Sequence, residues 1–207
     1  MKKILYSVLT LTLGLVLSSS GCTHDTIDTA LFDEGVTIGG VTWATRNVGE
    51  PGKFTATSED VGMYYQWNHK IGWSFAGSLI STPSAIWDDT NSAVATWDAA
   101  NDPCPDGWQV PSQDQCDALT TADGSIWDGV KKGWVFGSGV NSIFVPAAGI
   151  IMTDSPSFVG SNGYYWTKDQ QNISDAYGFK FADTWAHAMG GSLKKYGLTI
   201  RCVKGAK

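Results

Sequence analysis

Three cysteines carry most of the chemistry that the residue types of this chain could support. Cys104 lies in Pro103-Cys104-Pro105-Asp106-Gly107-Trp108, Cys116 follows soon after, and Cys202 stands near the end in Arg201-Cys202-Val203; the fourth is Cys22. Three arrangements compete: a redox pair, a metal site and a structural disulfide. A redox pair needs a second thiol poised beside the first, and Cys116 is the candidate. A metal site needs ligands at short spacing. His24, His69 and His187 lie far apart, and there is no Cys-x-x-Cys. No metal and no cofactor is therefore expected.

The compartment bears on the choice. Lys2 and Lys3 precede an apolar run from Ile4 to Leu17, and Ser18 to Gly21 lead into Cys22. This pattern reads as a lipoprotein export signal over 1–21, cut before a cysteine that is then acylated, with an ordinary cleaved signal as the alternative. Residues 22–35 read as a polar, acidic spacer after the lipidated Cys22. Residues 36–204 are long enough for one domain with a full core. An exported protein tolerates disulfides, and lipid on Cys22 would tether it to a membrane.

The elements that must position the cysteines follow from local pattern. Val36 to Trp43 holds two β-prone runs around Gly39-Gly40, a hairpin signal. Asp60 to Gly72 is aromatic without clean alternation and could hold a short helix, and 72–107 reads as long ordered loops. Ser112 with Gln115 makes a capping box, so a helix starts there with Cys116 and Leu119 on one face. Short strands follow at Trp134 to Phe136, Ser142 to Pro146, Tyr164 to Trp166, Ala176 to Phe181 and Leu198 to Val203. In the last, alternation sends Leu198, Ile200 and Cys202 one way and Thr199, Arg201 and Val203 the other. Tyr177, Phe179 and Phe181 likewise share a face, read as the buried one. The order of elements predicts α+β with an antiparallel sheet. Cys104 in a turn that needs anchoring and Cys202 on an inward face favour a disulfide between them, which would contribute on the order of 2–4 kcal/mol. Cys116 reads as a small apolar residue on its helix.

Five ordered blocks resemble the Fibrobacter succinogenes major paralogous domain, a family common in exported proteins and lipoproteins of Bacteroidetes and Fibrobacteres. They are Ile38 to Val48, Gly62 to Trp67, Asp102 to Ser112, Gly163 to Thr167 and Tyr196 to Val203. The resemblance implies a C-type-lectin-like α+β fold with short antiparallel strands, one or two helices and long ordered loops, shared with formylglycine-generating enzymes. It also implies pairing of the CPDGW and IRCV cysteines. Cys116 departs from the family's pattern and leaves a different pairing open. Some relatives are diversified by retroelements between the last two blocks, here Lys168 to Tyr196, to vary a ligand-binding surface.

A net charge of −6, with no run of Lys or Arg longer than two, argues against nucleic acid. Ten Trp and 24 Gly point instead to short strands, many turns and a surface able to present rings. The expected function is a non-catalytic binding module for glycan or protein, monomeric and lipid-anchored to the outer membrane at the cell surface. Its candidate ligand residues are Lys168, Asp169, Gln170, Asn172, Asp183, Trp185 and His187. Trp185 leads them, because small and polar neighbours surround its indole. The alternative folds that ring over a sheet edge. Calcium-dependent sugar binding lacks its Glu-Pro-Asn or Gln-Pro-Asp motif, and Trp87-Asp88-Asp89 reads as an acidic surface loop. A formylglycine-generating activity would need reactive cysteines, and no hydrolase or phosphate-cradling motif stands out. A surface-appendage component is the other alternative, although the tail Lys204 to Lys207 reads as too short to donate a strand.

Overall fold

The computed structural model describes residues 32–187 and 190–206. The leader over 1–21, Cys22, His24 and most of the spacer lie outside them. No helix among the described residues is long and apolar enough to cross a membrane. The expected α+β class, with the lectin-like fold it implied, is overturned, although the helix count falls within the expected one or two. The described residues are mostly β, with 39% strand, 6% helical residues and several small antiparallel sheets. The only α-helix among the described residues is Gln113–Thr120, and it carries the expected capping box.

The hairpin of Val36–Ile38 with Val41–Trp43 forms as expected. Gly39 and Gly40 supply its left-handed turn, at φ 59° and 79°. Val203–Lys204 and Trp108–Gln109 complete this four-stranded sheet. Ile126–Asp128, Gly133–Ser138 and Asn141–Pro146 form a meander. In a third sheet, Asp175–Ala182 pairs with Gly163–Gln170 on one side and with both Trp185–His187 and Gly191–Leu193 on the other. Gly163 sits opposite Phe181, where a Cβ would come within 2.1 Å of the ring. The Asp60 to Gly72 segment contains no helix. Tyr64–Tyr65 is a strand, followed by a left-handed Asn68 and by the hairpin Gly72–Phe75 with Leu79–Thr82, so that part of the expected loop region is a sheet. The backbone of 64–67 is held elsewhere, through Tyr65 N–H to Leu198 O at 2.8 Å and Trp67 N–H to Lys194 O at 3.0 Å.

Two large cores and a small one, of Tyr64, Trp73 and Ile151, fill the described part of the molecule. One large core gathers Trp43, Cys116, Leu119, Phe136, Tyr165, Phe179, Phe181 and Val203. The other gathers Tyr65, Trp67, Cys104, Trp108, Trp166, Leu198, Ile200 and Cys202. The stretch 198–203 runs between them, and its alternation holds with one amendment: Thr199, Arg201 and Val203 are buried as well. Only its end pairs as a regular strand. Its other hydrogen bonds are dealt out in turn, Leu198 with Tyr65, Thr199 with Tyr164 and Trp166, Ile200 O with Val48 N–H, and Cys202 O with Ala44 N–H. A chain shared among that many partners cannot keep one ladder. Tyr177 is only partly buried, whereas Phe179 and Phe181 are in the core. The fold reaches back to Asp33, whose carboxylate accepts the Thr45 N–H and hydroxyl at 2.9 Å, so the last residues of the expected spacer belong to the packed structure.

Cys104 and Cys202 form a disulfide across 98 residues of chain, with Cα atoms 6.1 Å apart. Asp102 holds the Cys104 turn from below, accepting the N–H of Cys104 at 2.8 Å and of Val110 at 2.9 Å. Beside it the Arg201 guanidinium is fully buried. Its Nε donates to Asn47 Oδ1 at 2.8 Å and its Nη1 to Ala44 O at 3.1 Å. Asn47 in turn donates to Val61 O and to the Tyr165 hydroxyl, and that hydroxyl donates to Pro146 O at 2.6 Å.

Two stability predictions follow from these ties. Replacing both Cys104 and Cys202 by Ser should lower unfolding free energy in urea by about 2–4 kcal/mol. A loss below about 1 kcal/mol would show that the loop is held by other contacts. Asn47→Ala should cost about 3 kcal/mol, because it strips a buried cation and a buried hydroxyl of a partner, and Arg201→Met should cost less. The reverse ranking in the same urea titrations would show that Asn47 is not the hub.

Candidate binding site

The expected ligand residues do not form one site. Lys168, Asp169, Gln170 and Asn172 stand at one end of the Gly163–Gln170 and Asp175–Ala182 pair, and Asp183, Trp185 and His187 at the other. Gln170 faces Ala176 and Trp185 faces Ala182, so roughly 20 Å of strand separates the groups. Residues close in sequence were parted by the strand that connects them.

The first group is occupied with structure. Asp169 Oδ2 accepts the N–H of Gln113 at 2.6 Å, at the start of the helix. The Lys168 main chain donates to Pro111 O and accepts from Trp97 N–H. Gln170 Oε1 takes a hydrogen bond from Lys194 Nζ at 3.2 Å. Asn172 closes the hairpin turn, its Oδ1 accepting the N–H groups of Ser174 and Asp175 and its Nδ2 donating to Asp175 Oδ2.

The second group borders an open cleft of about 280 Å³ lined by Trp127, Lys132, Gly160, Ser161, Asn162, Ala182 and Asp183. Three turns meet there. The Trp134 indole N–H, donating to Ala182 O at 2.7 Å, fixes the first. Gly149 N–H to Asn162 O and Gly160 N–H to Ala147 O, both 2.8 Å, fix the second, and Lys132 N–H to Asp128 O fixes the third. Lys132 and Phe158 both adopt left-handed backbone, φ 59° and 63°, which an aromatic residue rarely does. Phe158 and Val159 are 51% and 54% exposed, with the Phe158 ring beside Tyr164. Trp185 is 38% exposed and shares the face of Ala182, so it stands outside the core. The backbone of His187 lies opposite Lys180, and its side chain lies outside the described residues. Among the described residues no side-chain hydrogen bond or ion pair takes up Asp183 or Lys132. An indole, a carboxylate, a carboxamide and a hydroxyl thus converge on one open hollow, the donors and acceptors that orient a hydroxylated ligand over a ring.

A larger cleft, about 650 Å³, was not foreseen. Asn68, His69, Lys70, Pro83, Val94 and Asp98 are among the residues that line it. Its sequence signal was the polar triplet Asn68-His69-Lys70 set between Trp67 and Ile71, which a helical reading of that segment obscured. Burial lowers the His69 pKa, opposed by the charge of Asp88.

No group of three or more His, Cys, Asp or Glu residues among those described could hold a metal ion. Cys116 is a free, fully buried thiol, and desolvation pushes its pKa well up, with Asp117 and Asp169 adding to the shift. A thiol held protonated is a poor nucleophile. Compared with known proteins, the chain matches no family model, no curated protein and no solved structure.

Site-resolved alkylation should therefore leave Cys116 unmodified in the native protein and label it on unfolding. The raised pKa also sets a sign. Stability from the protonated thiol is complete below the unfolded value of about 8.5 and falls as pH rises above it, because the unfolded chain loses that proton first. Cys116→Ala should flatten the alkaline limb of a stability profile. Native-state labelling at neutral pH would show an accessible, reactive thiol instead.

Proposed function

We propose that this chain is an exported, lipid-anchored, non-catalytic binding module, and that its glycan or protein ligand sits at the cleft beside the Ala182–Trp185 turn. The observation that carries the reading is the convergence of Trp127, Asn162 and Asp183 on one hollow, with Trp185 outward at its edge. A half-exposed indole offers a flat apolar face to a sugar ring or a protein side chain, and the flanking carboxylate and amide can bridge neighbouring hydroxyls. The exposed Phe158 and Val159 extend the apolar area and suit a protein ligand as well. The lipid anchor and outer-membrane location rest on the Lys2 to Cys22 pattern. Membership of the Fibrobacter succinogenes major paralogous family is part of the same proposal, supported by the order of the five blocks and by the disulfide between two of them.

Glycan and protein arrays probed with the chain, with calcium and with chelator, test the reading. Binding should be independent of calcium, fall about tenfold or more in Trp185→Ala and Asp183→Asn, and survive Lys168→Ala. Loss in Lys168→Ala with retention in Trp185→Ala would move the site to the opposite end of the strand pair, and no binding at all would remove the proposal.

A further inference from the structure

The 650 Å³ cleft has the size of a small-molecule site and a distinctive charge arrangement. Ile71, Pro83 and Val94 give it apolar walls. Lys70 and Asp98, of opposite sign, line the same hollow, yet no ion pair joins them among the described residues. Asp98 stands at the N-cap of the Ala99–Asn101 turn but its side chain makes no cap. Its carboxylate is held instead by Asn68, whose Nδ2 donates to Asp98 Oδ2 at 3.2 Å while its Oδ1 accepts the Asp98 N–H at 2.7 Å. That bracket uses one carboxylate oxygen, Oδ2, and fixes the backbone of Asp98 against Asn68. Asn68 adopts φ 62°, a local backbone tension at a residue that is 4% exposed. The wall carrying Val94 is pinned as well. Lys194 Nζ donates to Ser92 O at 3.2 Å and to Val94 O at 2.8 Å, with its charge 4.5 Å above the centre of the Trp67 ring. Burial disfavours the charged form of His69, and Lys70 is the lysine among the residues that line the cleft.

We propose that this cleft binds a zwitterionic ligand with an apolar side chain, a free amino acid or short peptide, with its ammonium on Asp98, its carboxylate toward Lys70 and its side chain against Ile71, Pro83 and Val94. Two separated charges of opposite sign in an apolar hollow complement a zwitterion and penalise ligands that carry only one charge. The site is separate from the cleft at Asp183, so it stands or falls independently of the glycan or protein reading.

The test is calorimetric titration of the full chain with leucine and with leucyl-leucine, alongside N-acetyl-leucine and leucinamide. At least one zwitterion should bind, and each capped compound should bind about tenfold more weakly or worse. Asp98→Asn should weaken the zwitterion and leave N-acetyl-leucine unchanged, whereas Lys70→Gln should weaken the zwitterion and leave leucinamide unchanged. Both side chains are exposed, and circular dichroism confirms that each variant is folded. Trp185→Ala should have no effect. Absence of binding by both zwitterions, equal binding of the capped compounds, or indifference to Asp98→Asn would overturn the proposal.

Discussion

The structure depends on a short stretch of backbone, 197–203, lying between two cores. Its side chains divide by parity, Leu198, Ile200 and Cys202 into one core and Val203 into the other. Its main chain is bonded successively to 151, 65, 164, 166, 48 and 44. A buried backbone needs every N–H and C=O satisfied, so four segments, around 151, 65, 164–166 and 44–48, must approach it at set positions. The disulfide at Cys202 adds a fifth, the turn at Cys104. The buried Arg201 raises the stakes. Desolvation lowers its pKa to about 10, so it stays charged at neutral pH, and its nearest acceptors are an amide and a carbonyl rather than a carboxylate. Its Nη2 has no hydrogen-bond partner among the described residues. An ion held so frugally tolerates little movement around it, and it fixes Ala44 to Asn47 against Tyr165.

That arrangement explains where ligand surfaces can be. The interior strands have both faces committed, as Tyr165 and Trp166 show by entering different cores. Free side chains are left at turns. Both clefts are accordingly built from turns whose bases are bonded to the central strands, and the three non-glycine residues with left-handed backbone among those described, Asn68, Lys132 and Phe158, line or border them.

Much of this was legible wherever one residue type admits one local solution. Ser112 with Gln115 marked the helix, Gly39-Gly40 marked the hairpin, and the inward parity of Cys202 pointed to Cys104. The fold class was misjudged because the single capped helix was given equal weight with the strands, and because the aromatic stretch around Tyr64, read as able to hold a short helix, is set by Leu198 and Lys194, more than a hundred residues away. The ligand residues were misgrouped for a related reason. Lys168 to His187 is one stretch of sequence, but antiparallel pairing spreads it along a sheet, and Asp169 and Asn172 turned out to serve a helix end and a turn. Nothing local distinguishes an aspartate that caps from one that faces a cleft. Asp98 shows the converse, an N-cap position whose carboxylate is turned to Asn68.

The two clefts differ in how they are held. At Asp183 the fixing bonds are main-chain contacts within neighbouring turns and one indole N–H, so side chains can adjust around a ligand. At Asn68 the floor continues directly from Trp67, whose indole N–H is bonded to Thr167 O at 2.9 Å and whose N–H is bonded to Lys194 O. The same lysine reaches the opposite wall with its ammonium. Floor and wall therefore share one anchor, and a ligand entering there finds its groups largely in place, with less ordering entropy to overcome. Preorganisation of this kind favours small, sharply defined ligands over extended surfaces. The more loosely framed hollow at Asp183, bordered by exposed rings, suits a larger partner that makes contact across several turns.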